Sequence, residues 1–451
     1  MKKIRIYGLL MVTLLLMNVA EAQNQAAQSP KVNQFSVQQS IEYAKKNSVQ
    51  VKNALLDVLI QKQTNRGITS IALPQVNGSA SMNDYLDIPT TLLPGEIVGQ
   101  PAGTFTPVKF GTKWNASAGI SLSQIIFDGQ VFIALKARNG TISLQERIAE
   151  LTEENIVANV TKIYYQLVAG KTQIGLLDAN ISRLEKLKHD VKIMYDNGFT
   201  EKLDIDKLTV QVANLQTEKL KADNLIANGY TGLKVLMGMP VQDSLALTDT
   251  LSDDMIREGV LEASQFKYSD RKDYQIAEIT NKLNGLNVRR YKLNQIPTFI
   301  LVGNYNKQAQ RNKFDFFGKG DWFTTSFIGI QMQVPIFNGF ALRARIQKAK
   351  LELQKSQNQS EALKLNIDRE MDGSKRDFIT AIASMDYQKK NMLLAEQVYN
   401  QTKKKYEIGT GDATAINAAQ VDLKTAQTNY ITALYDAIIA KVDFLKATGK
   451  L

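Results

Sequence analysis

Two tyrosines and one aspartate offer the best-placed hydrogen-bonding chemistry in this chain. Tyr195 and Tyr406 each stand three residues ahead of a glycine, Gly198 and Gly409, and Asp204 follows the first of these glycines by six residues. A phenol donates to a carboxylate, so such a pair holds two segments together and transforms nothing. The residues for catalysis are missing. His189 is the one histidine and sits among lysines in a helix-compatible run, as a solvated surface side chain would. With no cysteine there is no thiol nucleophile, no thiolate metal site and no disulfide framework. No glycine-rich phosphate loop follows a strand, and neither a nucleophile elbow nor carboxylates at metal-binding spacing appear. The reading is a protein without enzymatic activity, cofactor or metal.

The elements that place these residues occur twice. Gln124-Ile-Ile-Phe-Asp-Gly129 is echoed 210 residues later by Gln333-Val-Pro-Ile-Phe-Asn-Gly339, so Phe127 answers to Phe337 and Gly129 to Gly339. In both, an apolar/polar alternation ends at Phe-Asp/Asn-Gly and a charged, Ala-rich run begins; period 2 gives way to period 3.6, and a strand passes directly into a helix. Tyr195-Asp-Asn-Gly-Phe-Thr200 matches Tyr406-Glu-Ile-Gly-Thr-Gly411 at an offset of 211, as Gly238 matches Gly449. The chain therefore reads as residues 1–22, a first repeat 23–238, a linker 239–270 and a second repeat 271–451.

Residues 1–22 have the form of a removable export signal: basic Lys2, Lys3 and Arg5, an apolar core from Ile6 to Met17, and small residues at Ala20-Glu-Ala22. The apolar run is too short to span a bilayer. Formal charge is +11; removing three cations and Glu21 takes away 2 and leaves +9. The cations are scattered along helical stretches among acids, which describes solvated helix surface and excludes a nucleic-acid footprint. Five of the nine prolines lie between Pro74 and Pro107, and the nearly proline-free remainder suits long helices.

In order, a helix opens at Phe35 with Ser36 as its cap and runs to about Ser70, where Pro74 stops it. From Gln75 to Ile126 the texture turns to Gly, Ser, Thr, Asn and aromatics. Trp114, Ala116, Ala118, Ile120 and Leu122 alternate with Asn115, Ser117, Gly119 and Ser121, a pattern given by a soluble sandwich and equally by a barrel strand with a lipid face and a watery lumen. A loop rich in Pro and Gly lies between Tyr85 and Phe110. A helix from Gly129 to Asp196 would be on the order of 100 Å long. The turn 197–200 and a helix from Glu201 to about Leu236 follow. The second half repeats the plan: a helix to Leu293, strands 297–306 and 322–334, a long helix from Gly339 to Tyr406, and a last helix from Ala413 to Ala447. Ile416, Ala419, Leu423, Ala426, Tyr430, Ala433, Ala437, Ala440 and Phe444 form a 3,4-spaced coiled-coil seam. Four strands cannot close a membrane barrel, for which eight is the practical minimum, nor can their edges stay bare in lipid. Several chains must share one barrel, and three would supply twelve strands.

The export signal, the paired strand-to-helix junctions, the two Tyr-x-x-Gly turns and the Gly238 and Gly449 helix ends together resemble the outer membrane efflux protein family, the TolC-like channels. The resemblance implies a mainly α fold with a small β part. Long antiparallel helical hairpins form an α-barrel, and four amphipathic strands per chain enter a trimeric, twelve-stranded transmembrane β-barrel. It implies a homotrimer in the outer membrane of a Gram-negative bacterium, reaching into the periplasm. Its partners would be a periplasmic adaptor and an inner-membrane pump, its task to pass cargo outward in tripartite efflux or type I secretion. Residues 241–269 would join a belt around the helices. Gly198, Phe199, Thr200, Gly409, Thr410 and Gly411 would meet the adaptor at the periplasmic tip. Tyr195, Asp204, Tyr406 and Asp412 become gate candidates, with a tyrosine donating to Asp204 of the neighbouring hairpin. Family members place an aspartate six residues after the turn glycine; Asp204 fits, but Ala415 stands there in the second copy, so an acidic ring would need Asp204 or the displaced Asp412. Two other classes remain open: a passive porin, which predicts strands throughout, and a structural coiled-coil envelope protein, which predicts heptads without amphipathic strands.

Overall fold

A computed structural model describes residues 32–253, 256, 266–318 and 320–451. The export-signal segment 1–22 lies outside them, as do 254–255 and 257–265 of the 241–269 stretch. The elements in order are β1 (Val32–Phe35), α1 (Val37–Asn47), α2 (Val49–Ser70), β2 (Gln75–Asp84), β3 (Thr90–Pro94), β4 (Phe105–Lys109), β5 (Trp114–Phe127), α3 (Gly129–Asp196), α4 (Lys202–Met237), β6 (Ser244–Leu247), α5 (Lys272–Leu293), β7 (Thr298–Arg311), β8 (Phe323–Gln333), α6 (Ala341–Glu407) and α7 (Ala413–Ala447). They form two compact units. One holds the described residues up to Leu55 with Arg147–Gln275 and Leu363–Leu451; the other holds Leu56–Glu146 and Ile276–Ala362.

The second unit is built on an antiparallel sheet in the order β2-β5-β7-β8. Its register sorts the side chains by chemistry. Val76, Leu122, Gly303 and Ile328 stand abreast across the four strands, and beside them Met82, Ala116 and Ala309; one residue along, Asn77, Ser121, Asn304 and Phe327 stand abreast, and so do Asn83, Asn115 and Gln310. Successive side chains alternate sides, so one face is mainly apolar and the other is carried on β2, β5 and β7 mainly by Asn, Ser and Gln, joined on β8 by Phe327, with Ser81 and Ser117 sharing a hydrogen bond of 2.8 Å. Both outer strands are bare: β2 is exposed throughout, as is β8 at all but one residue. A separate ribbon pairs β3 with β4, inside the Pro- and Gly-rich stretch expected to be a loop. Pro94 and Pro107 argue against strand there, but a two-stranded ribbon is all edge and tolerates them. The helical part of this unit is pinned by Asn65, whose Nδ2 donates to the Arg138 carbonyl at 2.8 Å and whose Oδ1 accepts from Thr141 at 3.2 Å.

In the first unit, parallel β1–β6 lies against a core that includes Val160, Tyr164, Leu233, Met237, Phe378 and Phe444. The Tyr164 hydroxyl donates to the Phe35 carbonyl (2.9 Å) and accepts from the Asp249 amide (3.2 Å), tying the C-terminal ends of both strands to α3. A second core gathers Leu177, Leu184, Val191, Leu208, Val212, Ile416 and Leu423. Of the anticipated α7 seam, Ile416, Ala419, Leu423, Ala433, Ala437 and Phe444 are buried, as heptad spacing requires. The helix expected from Ser36 to Ser70 is instead two. Ser36 caps α1 in a capping box with Gln39, but Ser48 takes a non-helical conformation (ψ 129°) between α1 and α2. The cause is tertiary: Gly238, at φ +73°, comes so close that a side-chain carbon on it would lie 2.3 Å from the Asn47 carbonyl oxygen.

Candidate functional site

Each hairpin turn is closed by backbone geometry that its glycine makes possible. After α3, Gly198 takes φ +81°, its amide donates to the Tyr195 carbonyl and the Phe199 amide to that of Met194, both at 2.9 Å. After α6, Gly409 takes φ +77°, and the Gly409 and Thr410 amides reach the carbonyls of Tyr406 (3.0 Å) and Lys405 (2.9 Å). This left-handed stop satisfies carbonyls that the helix end would otherwise orphan. Gly411 lies against the backbone of Tyr406, where a side-chain carbon would come within 2.7 Å.

The two turns differ in their side chains. In the first, Thr200 Oγ1 donates to Asp204 at 2.9 Å, and Lys207 Nζ lies 3.5 Å from the same carboxylate. In the second, Asp412 caps α7 by accepting from the Thr414 amide at 3.1 Å. Phe199 is exposed, Tyr195 is 41% exposed and Tyr406 only 6%. The Tyr406 hydroxyl is buried without a hydrogen-bond partner among the described residues. Burial first, then the carboxylates of Asp204, Asp190 and Asp412, push this phenol above its ordinary value. The fold thus brings Tyr406, Asp204 and Asp412 into one electrostatic neighbourhood and leaves Tyr195 at the surface.

A cleft of about 270 Å³ adjoins Tyr406, lined among others by Arg183, Leu187, Met194 and Tyr399, with the Arg183 guanidinium 5.8 Å from the Tyr399 ring centre. Neither the cleft nor the role of Thr200 was visible in the sequence. A hydroxyl four residues before an acid, straddling a turn, is the signal that could have revealed Thr200. His189 is exposed on α3. Among the described residues no group of acids or histidine could hold a metal.

The strand-to-helix junctions are the other paired feature. Phe127 is half-buried, its ring centre 5.5 Å from that of Phe132 and 6.3 Å from that of Phe299. Asp128 caps α3, accepting from the Gln130 amide at 2.7 Å, and Gly129 is pressed against Leu293. At the second junction Phe337 is 76% exposed, its ring centre 5.5 Å from that of Phe340. Gly339 and Phe340 both take positive φ, 61° and 64°.

Among the described residues no helix is long and apolar enough to cross a membrane, a statement that concerns helices alone. Residues 282–450 match the family described as outer membrane efflux protein. The chain is 18% identical over 337 residues to the outer membrane protein TolC of Vibrio cholerae, covering 74% of this chain and 77% of that protein. It is 21% identical to the toluene efflux pump outer membrane protein TtgC of Pseudomonas putida, over 75% and 69% of the two chains. In fold it resembles the outer membrane protein VceC of Vibrio cholerae (TM-score 0.72, 15% identity, 92% of this chain and 96% of that one) and CusC (TM-score 0.75, 15% identity, 92% of each). The chain thus resembles outer membrane efflux proteins in its second half and along most of its length, and it has the TolC-like fold.

Proposed function

We propose that this protein is the outer-membrane exit duct of an export machine, and that three copies complete it. The observation that carries this reading is the β2-β5-β7-β8 sheet, mainly apolar on one face, mainly polar on the other and bare at both edges. In hydrocarbon an unpaired edge is untenable, so β8 of one copy pairs with β2 of the next, antiparallel like the other neighbours. Three copies of four strands close a twelve-stranded barrel, with the Asn/Ser/Gln face lining the lumen and the apolar face turned to lipid. The helices form the periplasmic α-barrel of the duct, built from the repeats 23–238 and 271–451 joined by 239–270. A passive porin would be strand throughout, unlike helices of 68 and 67 residues.

The duct transforms nothing; its cargo is energised by an inner-membrane pump joined through a periplasmic adaptor. The turn residues Gly198, Phe199, Thr200, Gly409, Thr410 and Gly411 are the proposed adaptor contacts. Tyr406, whose buried hydroxyl has no partner among the described residues, is the proposed donor to Asp204 of a neighbouring hairpin. Asp412 and Tyr195 flank the gate.

The trimer is tested by electrophoresis of outer-membrane fractions with and without boiling. A band three times the monomer mass that collapses on boiling is expected, and a monomer in the soluble fraction would end the proposal. The gate is tested by single-channel recording in planar bilayers: Tyr406→Phe and Asp204→Ala should each raise conductance, and unchanged traces would remove both from the gate.

A further inference from the structure

The register places two connections at the sheet end away from the helices: residues 85–113 between β2 and β5, and the link between β7 and β8, described at 312–318 and 320–322. The 85–113 connection carries the β3–β4 ribbon. Leu92 pairs with Pro107 and Pro94 with Phe105, so these four share one face, and all four are exposed. The other face is covered in part, with Leu93, Thr106 and Val108 half-buried. An isolated two-stranded ribbon is marginal in water, and a bare apolar face on it marks a contact surface.

The β7–β8 turn is built to make two contacts. On one side Phe314 lies edge-on to Trp114 of β5, ring centres 5.2 Å apart, so the turn reaches back over its own chain. Phe317 has its ring centre 6.4 Å from that of Phe314 and is 92% exposed. In a closed ring the turn has a connection on either flank, its own 85–113 segment and that of the next copy. Each is about two strand spacings away, on the order of 10 Å. The near flank is served by Phe314 on Trp114, and Phe317 is left for the far one.

We propose that the ribbon's Leu92–Phe105 face receives Phe317 of the adjacent copy, forming a clasp around the outer mouth of the channel that is separate from the strand pairing below it. The proposal rests on the three-copy ring proposed above. The occupant is a second copy because β8–β2 closure sets the two bare surfaces side by side at the same height. The clasp adds apolar burial where loops alone would leave the barrel rim free to fray.

The absence of cysteine from the chain makes the test direct. Phe105→Cys and Phe317→Cys are introduced together in the full-length protein, and outer membranes are treated with a bismaleimide of roughly two strand spacings. Covalent dimers and trimers that survive boiling are expected from the double variant and from neither single variant. A heat-sensitive trimer without cross-links, or with cross-links only inside one chain, would overturn the clasp and leave the ring standing. Failure to find any trimer before boiling would overturn both. Rapid labelling of Phe105→Cys by a membrane-impermeant maleimide on intact cells would show an open face and likewise overturn the clasp. With Phe317→Ser the unboiled trimer should dissociate several-fold faster on warming; an unchanged rate would count against it.

Discussion

The sequence writes Phe-Asp/Asn-Gly twice, and the structure treats the two copies in opposite ways. At the first, strand β5 runs through Phe127 into α3, with Asp128 capping the helix and Gly129 packed on Leu293. At the second, β8 ends at Gln333 and residues 334–340 cross to α6 as an exposed apolar link. At the hairpin turns the order is reversed, since Tyr195 of the first copy is exposed and Tyr406 of the second is buried. Similar residues at matched positions thus meet different surroundings. A junction beside an interior strand finds its partners in its own chain, whereas one beside a free edge leaves its apolar groups exposed.

The sharpest test of this contrast is at the junction glycines. A methyl at Gly129 would sit 2.8 Å from Leu293 Cβ and 3.0 Å from its carbonyl oxygen, while around Gly339 the space is open. Gly129→Ala should cost about 2 kcal/mol by overpacking. Gly339→Ala meets only the strain of a positive φ in a non-glycine residue, about 1 kcal/mol. Thermal unfolding in detergent, followed by helical circular dichroism, ranks them. If Gly339→Ala were the worse, the first junction would not be the packed one.

Next come the junction aromatics. Phe127→Ala removes a half-buried ring and should cost about 2 kcal/mol of single-chain stability, below the range for fully buried phenylalanines. Phe337→Ala removes a ring in solvent and should leave that stability unchanged, while shortening survival of the unboiled trimer on warming. Equal losses from the two variants in the monomer would dissolve the comparison. The caps give a smaller version of the same test. Asp128→Ala should cost about 1 kcal/mol, and Asn338→Ala less than half as much, because its oxygen stands 3.5 Å from the Leu342 amide it would cap.

What could be read from the residues follows from where the physics is local. Alternation in β5, the Ser36 cap, the turn glycines and the α7 seam are decided by neighbours within a few positions, and the sequence exposes each of them. The break at Ser48 leaves no local mark, because the helix yields to Gly238 arriving from elsewhere in the fold. The β3–β4 ribbon is masked by the two prolines that its edges tolerate. The difference between Tyr195 and Tyr406 is hidden for the same reason: both stand before a turn glycine, and only the packing of α3, α6 and α7 determines which ring is covered. Asp204 could be singled out by its spacing from Gly198, whereas its partner Thr200 needed the folded turn.

The smallest expected effect is at these tyrosines, and it separates a packing role from a latch. A buried hydroxyl without a partner contributes nothing to the folded chain, so Tyr406→Phe should leave single-chain stability at neutral pH unchanged or slightly raised. The phenol's folded pKa lies above its ordinary value of 10.0. Between those values the folded chain holds a proton that the unfolded chain has released, so stability is intact below pH 10 and falls as pH rises through the folded pKa. Tyr406→Phe should flatten that alkaline decline, and Tyr195→Phe, removing an exposed hydroxyl, should leave it as it is. Unfolding midpoints in detergent between neutral pH and about pH 11 give the comparison on monomers. A clear loss of stability at neutral pH in monomeric Tyr406→Phe would mean that the hydroxyl is already bonded within one chain, and it would then be unavailable to any neighbouring hairpin.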